Sequence, residues 1–190
     1  MTEAEILAHF ESTQALLKGH FLLSSGLHSP QYMQCARLLA HPDVAQALGR
    51  ALAEKCPKPD LVVSPAMGGL IIGQEVARAL GVRHYFTERD NGVMTLRRGF
   101  SIAPGEKIVI VEDVLTTGKS SQEVIDVLKA LGGEPLAVVA IVDRSSGRTR
   151  LPVPKASLLQ LTIPSYATHE CPQCQAGTPV VKPGSRTQPK

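Results

Sequence analysis

The run IVIVEDVLTTGKSS, Ile108 to Ser121, decides the fold of this chain. Ile108, Val109, Ile110 and Val111 are four β-branched apolar residues in succession. That predicts a strand buried on both faces of a parallel sheet. Glu112 and Asp113 close the strand, and Thr116-Thr117-Gly118-Lys119-Ser120-Ser121 makes a small, hydroxyl-rich turn. Val124, Ile125, Val127, Leu128 and Leu131 then recur at helical spacing and predict an amphipathic helix. Backbone N–H groups in a glycine-containing loop and in a first helical turn form an anion site. The hydroxyls of Thr116, Thr117, Ser120 and Ser121 and the charge of Lys119 add to it. The carboxylate pair repels phosphate but suits sugar hydroxyls, or a Mg²⁺ that bridges to phosphate. A ligand with a ribose between two phosphate groups would satisfy both halves. The plain alternative is a capped helix after a buried strand, with an acidic pair in solvent. A Walker A loop is excluded, because it needs glycine five positions before Gly118 and Asp113 stands there.

Apolar strand, acidic pair, two apolar residues (Val114, Leu115) and T-T-G-x-S together resemble the phosphoribosyl-diphosphate (PRPP) signature of the type I phosphoribosyltransferases. The resemblance implies an α/β fold: a parallel, Rossmann-like sheet with helices on both faces and a small hood. It implies PRPP contacts across Glu112, Asp113, Val114, Leu115, Thr116, Thr117, Gly118, Lys119 and Ser120, with the acidic pair on the ribose and the loop around the 5′-phosphate. It also implies Mg²⁺, carried in with PRPP and with no direct protein ligand assigned.

Working outward, Asp60 to Ser64 reads as a second buried strand, followed by Pro65-Ala66-Met67-Gly68-Gly69 and a helix through Ile71, Ile72, Val76 and Leu80. Adjacent glycines at a strand-to-helix turn let backbone approach an anion closely. In the family such a loop holds pyrophosphate, which assigns that role to Met67, Gly68 and Gly69. Many members carry lysine where Gly68 stands. Val82 to Thr87 reads as a short strand, and Asn91-Gly92 is a hairpin signal. Arg89, Arg97 and Arg98 are either surface arginines of that hairpin or cations of a mobile lid. The family has a lid here that reaches the partner subunit's site, with lysines and a histidine where this chain has arginines. Pro135 to Val142 is a further buried strand ending in Asp143-Arg144-Ser145-Ser146-Gly147. An arginine there faces the ligand side of the sheet, and guanidinium grips a carboxylate in two-point fashion.

The N-terminal part names a base. Thr2 and Glu5 have the spacing of a capping box, and Ile6, Leu7, Phe10, Leu16 and Leu17 are read as the apolar face of an opening helix. Phe21 to Pro30 matches the F-x-L-x-S-G-x-x-S-P pattern and resembles the hood of orotate phosphoribosyltransferases. This implies orotate contacts from Ser24 (lysine in better-known members), Tyr32, Thr116 and Arg144. Tyr32-Met33 stands where those members have an aromatic pair. The implied activity is transfer of phosphoribose from PRPP to orotate, in pyrimidine synthesis. The rivals are a phosphoribosyltransferase for a purine or neutral pyrimidine, and a non-enzymatic PRPP sensor.

The remaining sequence narrows the class. A length of 190 residues, 43% of them hydrophobic, suits one domain over 1–190. Residues 1–40 and 164–183 are read as hood and flanking segments, and 184–190 as a disordered tail. Aromatics at 4%, without tryptophan, argue against a stacking platform for single strands. A net charge of +3 is too small to imply nucleic acid or a membrane surface as partner. The opening MTEAEILAHF has neither the basic nor the apolar region of a secretory signal, so a cytoplasmic enzyme is expected. A homodimer is implied by the lid. Cys171 and Cys174 form a C-x-x-C. A structural metal needs four ligands; His169 is the one candidate nearby, so packed thiols are the expected state.

Overall fold

A computed structural model describes residues 1–23, 25–145 and 147–183. Its elements in chain order are α1 (Glu3–Ser12), β1 (Leu16–Leu22), β2 (His28–Met33), α2 (Cys35–Leu39), α3 (Pro42–Ala53), β3 (Leu61–Pro65) and α4 (Gly69–Leu80). There follow β4 (Arg83–Asp90), β5 (Val93–Leu96), β6 (Lys107–Leu115), α5 (Lys119–Ala130), β7 (Glu134–Asp143), β8 (Lys155–Gln160) and α6 (Pro172–Gln175). A six-stranded sheet runs in the order β5-β4-β3-β6-β7-β8. It is parallel apart from the β4–β5 hairpin at one edge. The expected α/β fold with a mostly parallel sheet is what the chain adopts.

The apolar run that predicted β6 shows why. Side chains alternate between the faces of a strand, so Val109 and Val111 enter one core while Ile108 and Ile110 enter the other. β3 and β7 divide likewise, with Val62, Val139 and Ile141 on the first side and Val63, Val138 and Ala140 on the second. The first core is closed by Ile6 and Phe10 of α1, Leu38 of α2, Leu48 and Leu52 of α3, and Ile72 and Val76 of α4. The second is closed by Val124, Ile125 and Leu128 of α5. A run apolar at every position is therefore the signature of a sheet covered twice.

Strand order changes direction between β3 and β6: the chain moves outward from β3 to β4, and the other way from β6 to β8. Open α/β sheets bind ligands in the crevice at such a switch point, beyond the strands' C-terminal ends. The two loops named from sequence, after β3 and after β6, meet there.

β1 and β2 pair antiparallel as a separate two-stranded sheet, and the C-terminal segment joins it through bridges Phe21–Val181 and His28–Tyr166. The capping box forms, with Thr2 N–H donating to Glu5 Oε2 at 2.7 Å and Glu5 N–H to Thr2 Oγ1 at 3.3 Å. Leu16 and Leu17 correct the sequence reading. They belong to β1, because Thr13 Oγ1 bonds the His9 carbonyl at 2.6 Å and Gln14 takes φ 53, which ends the helix. Leu131 is also outside its predicted place, lying exposed just past α5. β8 spans Lys155–Gln160.

Candidate active site

Glu112 and Asp113 sit at the C-terminal end of β6, and Gly118 turns the chain into α5 with φ 77, a left-handed conformation that glycine adopts without strain. Thr116 and Thr117 are exposed, Ser120 is half-buried, and Lys119 N–H donates to Thr117 Oγ1 at 3.3 Å. The loop thus offers hydroxyls around a helix N-terminus, with that of Thr117 accepting the Lys119 amide. Two of the predicted contacts have side chains or amides committed elsewhere. Leu115 is buried in the core with its carbonyl taken by Arg144 N–H at 2.8 Å, and Val114 N–H donates to Asp113 Oδ1 at 2.9 Å. These two position the motif from below.

Across the crevice, α4 begins at Gly69, and its N-cap is Gly68. The Ala66–Met67 peptide is cis. Gly68 has φ −58, so its need for glycine is one of space: a Cβ there would lie 2.6 Å from Asp113 Oδ1. A Cβ on Gly69 would lie 2.7 Å from the Val111 carbonyl. The glycine loop is therefore pressed against the end of β6, and a long side chain at position 68 could not be added without moving Asp113. Met67 points away, 81% exposed.

The acidic pair is electrostatically unusual. Burial pushes the Glu112 carboxyl up to about 8, the charge of Asp113 adds to the shift, and a hydrogen bond from Ser121 Oγ at 3.3 Å opposes it. Burial also raises Asp113, against the amide of Val114. Withdrawal from water favours the protonated form of both carboxyls, and hydroxyl donors or a metal ion beside them would favour the ionised form. As hard oxygen donors beside a phosphate loop, they suit Mg²⁺.

Arg144 follows β7. Asp143 does not pair with it: that carboxylate takes Lys155 Nζ at 2.5 Å and the Ser145 amide at 2.7 Å. Arg144 Nε is buried without a hydrogen-bond partner among the described residues. Burial lowers the guanidinium's pKa, while Tyr32 and Cys35 nearby raise it. The Tyr32 hydroxyl in turn is raised by burial and by the charge of Asp113 and lowered by Arg144. Hood, acidic pair and arginine therefore converge on one space. Strand alternation sends Tyr32 toward it, and the neighbouring Met33 into the core. Ser24 lies outside the described residues, as do Ser146 and 184–190.

Asn91 and Gly92 both take positive φ, as a two-residue hairpin requires. The three arginines near it are all engaged with acids. Arg89 pairs with Glu123 of α5 and donates to the Gly92 carbonyl at 2.8 Å. Arg97 meets Asp90 at 3.4 Å, and Arg98 holds Glu88 in two-point fashion at 3.0 and 2.9 Å. Of the supporting residues, Thr149 had no sequence signal. Its Oγ1 donates to the Thr116 carbonyl at 2.9 Å, and its methyl lies 2.4 Å from where a Cβ on Gly118 would be.

A phosphoribosyl transferase domain model matches residues 34–162. The chain belongs to the phosphoribosyltransferase family. An orotate phosphoribosyltransferase of Novosphingobium aromaticivorans is 54% identical over 195 residues, covering 100% of both chains. One of Heliobacterium modesticaldum is 51% identical over 191 residues, covering 98% of this chain and 100% of that protein. Within the family the chain thus belongs with the orotate phosphoribosyltransferases. The crystal structure of the Aeropyrum pernix orotate phosphoribosyltransferase matches with a TM-score of 0.66 at 26% identity, covering 82% of this chain and 93% of that one. The fold by itself does not choose the base: an adenine phosphoribosyltransferase from Thermoanaerobacter pseudethanolicus matches with a TM-score of 0.61 at 18% identity, over 69% of this chain and 88% of its own.

Proposed function

We infer that the chain, as a single domain over 1–190, is an enzyme that transfers the phosphoribosyl group of PRPP to orotate, giving orotidine 5′-monophosphate and pyrophosphate for pyrimidine synthesis. The single observation that carries the choice of base is Arg144, a half-buried cation at the ligand end of β7 whose buried Nε has no hydrogen-bond partner among the described residues. Orotate differs from uracil by a carboxylate, and that group would supply the missing acceptor.

The remaining roles follow from position. Amides at the start of α5 and the hydroxyls of Thr116, Thr117 and Ser120 hold the 5′-phosphate, with Lys119 beside them. Glu112 and Asp113 accept hydrogen bonds from the ribose hydroxyls. Their negative charge favours the cationic ring that develops as the C1–pyrophosphate bond lengthens. The amides of Gly68 and Gly69, with Met67 before them, face the leaving pyrophosphate. Mg²⁺ entering with PRPP would supply charge neutralisation of that group, and Glu112 and Asp113 are the oxygen donors that would suit it. Tyr32 of the hood and Thr116 border the base, and Ser24 is assigned to it by the resemblance of its segment alone. Arg89, Arg97 and Arg98 reach the pyrophosphate only by exchanging Glu123, Asp90 and Glu88 for it, so lid action requires these ion pairs to open. Exposed pairs of this kind contribute little to stability and exchange readily. Exposed Met67, Ile71 and Val93 are apolar surface that supports a homodimer, in which the hairpin reaches the partner's site. No helix of the described residues is long and apolar enough to cross a membrane. A cytoplasmic location and the absence of nucleic-acid partners belong to the same reading.

The test mixes purified protein with PRPP, Mg²⁺ and orotate and follows loss of orotate's ultraviolet absorbance. Turnover with release of pyrophosphate is expected. PRPP binding without any loss of orotate would make the chain a sensor.

A further inference from the structure

The hood carries a second side-chain cluster, which the transfer reaction does not use. His20 lies in β1, His28 begins β2, and Cys171 and Cys174 bracket the first turn of α6, three residues apart. The β1–β2 pairing brings the histidines together, and the bridges of β1 and β2 to Val181 and Tyr166 draw the C-terminal segment over them. One ligand atom from each of the four residues lies within 4.8 Å of all the others. His20 Nε2 is 3.5 Å from Cys171 Sγ, 3.6 Å from Cys174 Sγ and 2.8 Å from His28 Nδ1. His28 Nδ1 is 3.2 Å from Cys174 Sγ.

These distances have the scale of one tetrahedral ion. With Zn–N of about 2.0–2.1 Å and Zn–S of about 2.3 Å, tetrahedral ligand atoms stand about 3.3–3.8 Å apart. Opening the histidine–histidine contact by about half an ångström would meet that range. Both thiols are free, and His20, His28 and Cys171 are buried. The outer ring nitrogens have the partners that metal-bound histidines use. His20 Nδ1 is 2.7 Å from the Thr178 carbonyl. A carbonyl can only accept, so that nitrogen carries the proton and Nε2 presents its lone pair inward. His28 Nε2 faces Thr168 Oγ1 at 3.5 Å.

We propose that His20, His28, Cys171 and Cys174 bind one Zn²⁺ tetrahedrally, and that the ion fastens the C-terminal segment to the hood hairpin. Two thiolates and two imidazoles in tetrahedral array select zinc over hard cations. His169, the histidine that adjoins the cysteines in sequence, is not a ligand: it is exposed, 3.6 Å from Glu170. Because β2 also carries Tyr32, the ion would brace the strand that borders the base. The role is structural and is tested without turnover.

The full-length, untagged protein would be dialysed with a thiol reductant against metal-free buffer and its metal measured by mass spectrometry. One zinc per chain is expected. Cys174→Ser and His28→Gln should each lower this to about a tenth or less, while His169→Gln keeps the full equivalent. Should the ligand variants fail to fold, wild-type protein stripped with a chelator and titrated with Co²⁺ reads the same site. It should develop the intense visible bands of thiolate-bound tetrahedral cobalt, saturating at one equivalent and bleached by one equivalent of Zn²⁺. Wild-type protein that takes up neither zinc nor cobalt, or a folded Cys174→Ser variant that retains a full equivalent, would overturn the proposal and leave a hydrogen-bonded packing cluster.

Discussion

Replacing Glu112 with glutamine should make the ligand-free protein more stable and the enzyme worse. Glutamine keeps the shape of the side chain and the acceptor for Ser121 Oγ, but it does not ionise. In the folded chain burial, aided by Asp113, pushes the Glu112 carboxyl up to about 8, against 4.5 when unfolded. Between those values the folded chain holds a proton that the unfolded chain has released. Stability therefore falls as pH rises, at about 1.4 kcal/mol per unit, and levels off above the folded value. Integrated from pH 6 to pH 8, where the folded group is half-titrated, the loss is about 2 kcal/mol. Urea unfolding of wild type and Glu112→Gln at pH 6, 7 and 8 measures it, with calorimetric titration of Mg²⁺–PRPP alongside. The variant should gain about 2 kcal/mol on the wild type across that range and bind PRPP at least about tenfold more weakly, having lost one charge-assisted acceptor. Stability curves that stay parallel from pH 6 to 8 would show Glu112 already ionised without ligand, contradicting a carboxyl raised by burial.

The same raised carboxyl predicts that PRPP binding at pH 7 releases close to one proton, read as a dependence of binding heat on the buffer's ionisation enthalpy; buffer-independent heat would contradict it. Gly68→Ala should displace Asp113, because the new Cβ would fall 2.6 Å from Oδ1, and should weaken PRPP binding by about tenfold or more while the circular dichroism stays unchanged. Thr149→Val removes the hydroxyl that steadies the Thr116 carbonyl at the base of the phosphate loop. It should raise the KM for PRPP by roughly five- to tenfold, about the worth of one hydrogen bond, with little change in the KM for orotate. Replacing Arg89, Arg97 and Arg98 together with alanine should lower kcat by an order of magnitude or more while leaving PRPP affinity nearly intact; an unchanged kcat would confine these arginines to their ion pairs.

What was legible in the chain was local. β6 and its neighbours could be read because double burial demands a run apolar at every position, and the turn into α5 because small hydroxyl residues and a positive-φ glycine follow the strand directly. Asn91-Gly92 declared its turn for the same reason. Contacts made across long sequence distances left no such trace. Thr149 supports Thr116 from 33 residues away, and His20 approaches Cys171 across 151. Neither pairing has a period or a motif. The opening helix was read too long, because Leu16 and Leu17 are apolar in either element and only the turn at Thr13 and Gln14 separates them. At position 68 the structure supplies a reason for a departure the sequence could only record: the carboxylate of Asp113 occupies the space a side chain would need.

The measurement that bears most directly on the account is kcat/KM for orotate and for uracil, with saturating PRPP and Mg²⁺, in wild-type protein and in Arg144→Ala. A two-point contact between guanidinium and carboxylate contributes about 1.5–3 kcal/mol, so the variant should lose roughly ten- to 150-fold on orotate and hardly change on uracil. An equal loss on both bases, or none on either, would mean that Arg144 does not read the carboxylate and that orotate is chosen by some other group.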